Sequence, residues 1–161
     1  MAELLTNTGI ETAGSPWQTW FSSCTLARVS TQAHSGSWSL SLAATGANTY
    51  IGANDSAVDV TEGTVYTASW WVYLADTATY TPIVQPAGGG WQRYGTAGSI
   101  TANTWTQVSV TGFTAGAWTV TTDDFMFRLD RSTGTYSGQT LYWDDFSLTS
   151  QERRSSLLLG V

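Results

Sequence analysis

Along most of this chain apolar and polar residues alternate with a period of two. From Ser37 to Ala43 the alternation is strict, with Trp38, Leu40 and Leu42 turned one way and Ser37, Ser39 and Ser41 the other. That is the pattern of a strand with one buried face. The longest such run is Thr64 to Leu74. Tyr66, Ala68, Trp70, Val72 and Leu74 share one face, and Val65, Thr67, Ser69, Trp71 and Tyr73 share the other, so aromatics stand on both sides. Further strands are predicted at Thr25–Val29, Asn48–Gly52, Tyr80–Gln85, Thr104–Val110, Asp124–Asp130 and Leu141–Leu148. Pro82 puts the start of its strand at an edge or entry position.

Turn residues punctuate these runs, notably Gly14-Ser15-Pro16, His34-Ser35-Gly36, Glu62-Gly63 and the Gly134–Gly138 stretch. No twelve-residue window combines helical apolar spacing with caps. About eight to ten strands at this spacing predict an all-β fold, a two-sheet antiparallel β-sandwich (jelly roll) over residues 1–150. After it, Gln151–Ser156 is polar and Leu157–Val161 apolar. This C-terminal tail, 151–161, is expected to dock on its own domain or on a neighbouring subunit.

Composition narrows the function classes. The 161 residues carry six arginines, no lysine and a net charge of −6, which argues against a nucleic-acid partner. No apolar run approaches membrane-spanning length. Met1–Leu5 lacks the basic and apolar regions of an export signal. The single cysteine, Cys24, forms no intrachain disulfide and reads as a small buried side chain. Nine tryptophans imply a thick aromatic core, exposed stacking rings, or both. Trp17, Trp38, Trp70, Trp105 and Trp143 are expected in the core. Trp91, in the glycine-rich stretch Pro86–Gly95, is expected to be exposed.

Catalytic chemistry finds little to work with. There is no Gly-x-Ser-x-Gly elbow, and the only histidine, His34, lies in a turn. Asp123-Asp124 and Asp144-Asp145 are paired carboxylates, but strand neighbours point to opposite faces and make no acid–base couple across a cleft. The chain is therefore expected not to be an enzyme. Period two places Asp144 in line with Tyr142, Phe146 and Leu148. A carboxylate on such a row needs backbone N–H partners or a metal. Two readings stay open, a sheet-end residue satisfied by backbone amides and a calcium ligand partnered by the Asn7-Thr8-Gly9-Ile10-Glu11 turn.

Several short motifs occur in order: Asn7-x-Gly9-x-Glu11, Ser35-Gly-x-x-Ser-Leu40, Gly63-x-x-Tyr66-x-x-Ser69-x-Trp71, Trp105-x-x-Val108 and Trp143-Asp144-Asp145-Phe146-Ser147-Leu148. Over residues 7–148 the chain resembles the calcium-bearing jelly-roll carbohydrate-binding modules of xylanases and related glycoside hydrolases. The resemblance implies a structural calcium held by Glu11, Asp144 and the Gly9 carbonyl. It also implies a glycan cleft, here Trp71, Tyr73, Gln85 and Arg128 beneath Trp91 and Tyr94.

Two functions follow from different features. The unexported, lysine-free sandwich with an apolar tail reads as a bacteriophage virion protein, a capsid-decoration or minor tail component. It would assemble in the host cytoplasm as an oligomer on capsid or tail subunits, with weak adhesion to cell-surface polysaccharide. The alternative is a secreted carbohydrate-binding module that targets a polysaccharide for a glycoside hydrolase.

Overall fold

The computed structural model describes residues 2–13, 16–19, 24–58, 60–86, 90–117 and 125–151. Its strands, in chain order, are β1 (Ala2–Glu3), β2 (Trp17–Thr19), β3 (Cys24–Val29), β4 (Ser39–Ala44), β5 (Tyr50–Asp55) and β6 (Val65–Tyr73). They continue with β7 (Ala78–Pro86), β8 (Arg93–Tyr94), β9 (Gly98–Ile100), β10 (Thr106–Thr114), β11 (Phe125–Arg131) and β12 (Thr140–Gln151). No helix occurs among the described residues.

Two antiparallel sheets face each other, as the alternation predicts. Sheet 1 runs β10-β6-β12-β4-β3, with β1 added to the far half of β12. Sheet 2 runs β2-β5-β11-β7-β8, with β9 also on β7. Between them lies the apolar core. Trp70 meets Phe127 edge-on at 5.2 Å, and Trp17 packs on Phe146 at 3.9 Å. Cys24 is buried, as a small apolar residue would be.

The chain's two ends meet in sheet 1. Ala2 and Glu3 pair with Ser150 and Thr149. The Glu3 carboxylate accepts from Leu148 N (2.8 Å) and Ser147 Oγ (2.6 Å), and Phe146 N donates to Thr8 O (2.9 Å). Residues 152–161, on which the expectation of a docked tail rests, lie outside the described residues.

The phase of β12 departs from the sequence reading. Leu141 and Trp143 face the core, and so do Phe146 and Leu148. A β-bulge between Asp144 and Ser147, with Asp145 at φ 46°, inserts one residue and reverses the alternation. Asp144 therefore shares the outer face with Tyr142 and not the core row of Phe146 and Leu148. Two other expectations need correction. Trp38 precedes β4 and lies half-buried under the Arg28 guanidinium at 3.6 Å. Trp105 precedes β10, half-buried on the outer side of sheet 1. Trp17, Trp70 and Trp143 are core residues as predicted.

Candidate functional site

The polar groups of sheet 2 gather on its outer face. Register lays them out in rows across the strands. One row is Tyr94 (β8), Ile83 (β7), Arg128 (β11) and Gly52 (β5). The next is Gln85 (β7), Met126 (β11), Asn54 (β5) and Gln18 (β2). A third is Thr81, Asp130 and Tyr50. At about 4.8 Å per strand, each row spans roughly 10–15 Å.

Most of this face is shielded from water. Asn54, Gln85, Ile83 and Met126 are all buried, yet Ile83 and Met126 stand outside the central core cluster. Tyr94 is the counterpoint: at 62% exposure it is the sole exposed large apolar side chain among the described residues.

The polar side chains are wired to one another. Tyr94 Oη donates to Gln92 Oε1 (2.6 Å), and Gln92 Nε2 donates to Gln85 Oε1 (2.9 Å). Arg128 makes a bidentate pair with Asp130 (2.5 and 2.7 Å) while its guanidinium lies 4.7 Å from the centre of the Tyr50 ring. Because that pair neutralises itself, the face offers hydrogen bonds and aromatic surface without net charge. An uncharged ligand rich in hydroxyls fits such chemistry.

Of the six residues expected to contact a glycan, this face holds Gln85, Tyr94 and Arg128. Trp91 is not exposed. It is only 8% accessible, packed against Phe113 and Phe125 with centroids 6.0 and 6.4 Å away. Gly90, at φ 110°, precedes the ring, and Gly116 leaves it room: a Cβ there would come within 2.7 Å of Trp91 Cδ1. Trp71 and Tyr73 are on the other sheet. The His34 imidazole stacks on Trp71 (3.9 Å, 15°) and covers its ring, while Tyr73 packs on Trp105 and Tyr142 at 5.6 and 6.0 Å. Sequence reading missed Tyr50, Asn54, Gln92 and Asp130. Period two puts Met126, Arg128 and Asp130 together, but gives no sign of which face turns outward.

The residues expected to hold calcium lie at a different place, where the N-terminal turn meets β12. Asp144 is fully buried and accepts three backbone N–H bonds, from His34 (2.8 Å), Ser35 (3.2 Å) and Asp145 (2.8 Å). Burial pushes its carboxyl above the usual range, against the pull of those three amides. Glu11 Oε1 accepts from Ser37 N and Trp38 N (2.9 and 3.0 Å). The two carboxylates thus grip opposite ends of one segment, 34–38. Asp145 takes His34 Nδ1 and Ser35 Oγ, both at 2.6 Å. It is Asp145, not Asp144, that approaches Gly9: a Cβ on Gly9 would lie 3.4 Å from Asp145 Oδ1 and 3.9 Å from Glu11 Cγ.

Among the described residues no three His, Cys, Asp or Glu side chains converge as a metal cluster. Of the oxygens near Gly9, the Asp145 carboxylate is the one within reach, and carboxylates and backbone carbonyls are ligands that calcium accepts.

The sequence profile of the carbohydrate binding domain family matches residues 2–134. No curated protein matches the chain. Among solved structures, an arabinose-bound GH51 α-L-arabinofuranosidase superposes with a TM-score of 0.72 at 21% identity, over 92% of this chain and 26% of that one. The CBM22-1 xylan-binding domain of Paenibacillus barcinonensis Xyn10C superposes at 0.67 and 18%, over 92% and 94%. The CBM22-1–GH10 modules of Clostridium thermocellum xylanase Xyn10B, complexed with xylohexaose, superpose at 0.72 and 15%, over 94% and 29%. The chain thus spans about a quarter of the arabinofuranosidase and nearly the whole of the isolated xylan-binding domain.

Proposed function

The chain belongs to the carbohydrate binding domain family, and on that premise we propose that it is a non-catalytic module that binds a neutral plant-wall polysaccharide of the xylan kind. The observation that carries the reading is the outer face of sheet 2. There an exposed tyrosine, a second tyrosine under a self-neutralised arginine and a set of buried carboxamides form one uncharged, shielded surface. A sugar ring offers an apolar flank to Tyr94 and hydroxyls to Gln85, Asn54 and the Arg128–Asp130 pair. The role is to hold an associated glycoside hydrolase on its polymer. The virion reading draws on the tail, which lies outside the described residues, and no described feature favours it.

Affinity electrophoresis and calorimetry against xylan, arabinan, galactan and mannan test this. Xylan is expected to retard the wild type, and Tyr94→Ala to weaken binding about tenfold or more, equivalent to some 1.4 kcal/mol of lost contact. Failure of every polymer to bind, or a Tyr94→Ala variant that binds as the wild type does, refutes the reading.

A structural calcium ion is part of the same proposal, with one change of ligand. Glu11, the Gly9 carbonyl and Asp145 would hold it, since it is Asp145 that a side chain at Gly9 would approach. The ion would bind the N-terminal turn to the bulge in β12. Chelator should lower the thermal midpoint of the wild type and of Asp144→Asn, but not of Asp145→Asn. Equal midpoints with and without chelator in the wild type would count against it.

A further inference from the structure

The three rows on the outer face of sheet 2 contain two charged side chains, Arg128 and Asp130. They stand two residues apart on β11, so the strand turns both the same way, about 6.6 Å from one another along its length. Arg128 Nε and Nη2 donate to the two carboxylate oxygens of Asp130 at 2.5 and 2.7 Å, the fork geometry of a bidentate pair. One flat side of the guanidinium lies over the Tyr50 ring, 4.7 Å from its centre. The cation is thus held along one edge by Asp130 and on one face by Tyr50.

The two partners are not equally accessible. The Arg128 side chain is 17% exposed and that of Asp130 is 31% exposed, so an approaching ligand meets more of the carboxylate than of the guanidinium. A sugar hydroxyl suits either half, because it both donates and accepts. A sugar carboxylate suits neither. It must compete with Asp130 for the guanidinium, and it meets a like charge beside it, on a chain whose net charge is already −6. A neutral side chain at position 130 would remove both the competitor and the repulsion. The guanidinium would stay on Tyr50, and its planar fork matches a carboxylate.

We propose that Asp130 is the specificity-determining residue of this face: by holding Arg128 it reserves the face for uncharged sugars and turns away those that carry a carboxylate. The inference rests on the polysaccharide reading above and deepens it.

The test uses an unsubstituted xylan and the same polymer after carboxymethylation, with calorimetry on the intact chain. The wild type should bind the neutral polymer more tightly. Asp130→Asn keeps the side-chain shape and one accepting oxygen but removes the charge. It should bind carboxymethyl xylan about tenfold more tightly than the wild type does, the worth of one charge-assisted hydrogen bond. Neutral xylan, which loses an acceptor, should bind it about fivefold more weakly. Changes in opposite directions separate a role in selection from mere support of the fold, which would weaken both polymers alike. The gain of the variant over the wild type should shrink in about 1 M salt, where charges are screened beyond roughly 3 Å. It should vanish in the double variant Arg128→Gln/Asp130→Asn. An Asp130→Asn variant that binds carboxymethyl xylan no more tightly than the wild type overturns the inference and leaves the polysaccharide reading intact. A gain that survives in the double variant also overturns it. Failure of the wild type to bind neutral xylan overturns both.

Discussion

Replacing Trp91 by alanine separates two roles that the sequence assigns to one ring. An exposed stacking platform would lose affinity and leave stability alone. The structure predicts the reverse. Trp91 is 8% accessible and fills the space between Phe113, Phe125 and Gly116. Truncating a buried tryptophan costs about 3–5 kcal/mol, the transfer of its surface plus the cavity left behind. The value should fall in the lower part of that range. Trp91 Nε1 is buried with no partner among the described residues, and its removal relieves part of the cost. For a domain of this size each kcal/mol shifts the midpoint by about 2–4 °C, so a fall of about 6–15 °C is expected. Thermal unfolding followed by near-ultraviolet circular dichroism reads the stability, and xylan affinity measured well below the midpoint reads the binding. A midpoint within about 2 °C of wild type, together with lost affinity, would refute the core assignment.

Three further substitutions probe the rest of the framework. Asp144→Ala strips three backbone amides of their buried acceptor and should cost about 3–5 kcal/mol in urea unfolding. A loss below about 1 kcal/mol would mean that water or a shifted side chain serves those amides. Gly36→Ala should cost about 2–3 kcal/mol. Its φ is +60°, and an added Cβ would drive into the Glu11 carboxyl, 2.7 Å from Cδ, breaking the bonds to Ser37 and Trp38. Wild-type stability in that variant would show that segment 34–38 is not gripped as described. Trp71→Ala should leave polysaccharide affinity within about twofold of wild type, since His34 covers the ring on the opposite sheet. A tenfold loss would move the site to sheet 1.

The fold was legible because alternation survives in the residues themselves. Ser39–Ala44 and Val65–Tyr73 form strands where the period of two places them, and Trp70 and Val72 turn inward as predicted. The two ends do meet, through β1 on β12 and Phe146 N on Thr8 O, but Glu11 and the Asp144-Asp145 pair find their partners in segment 34–38, which their sequence did not announce. The phase of β12 was not legible either. A bulge adds one residue without a sequence signature stronger than a non-glycine at positive φ, and aspartate tolerates that conformation better than most.

The divided site has the same physical origin. A strand pattern says which residues share a face, but not whether that face looks at the partner sheet, at solvent or at covering loops. Trp71 and Arg128 both alternate away from core residues, so both read as ligand contacts, yet they stand on the outer faces of different sheets. Sheet 1 spends its outer aromatics on one another and on His34, which carries the Asp145 carboxylate and so serves the bulge. Sheet 2 instead leaves Tyr94 exposed beside carboxamides whose oxygens are occupied or buried. Aromatic content therefore misleads as a guide to the binding face, because packing consumes rings wherever they find neighbours. Unspent hydrogen-bond capacity is the better guide: a buried polar group without a protein partner carries a desolvation cost that a ligand can relieve. On that criterion Asn54, on the outer face of sheet 2, marks the site, and Trp70, Trp91 and Trp143 mark the fold.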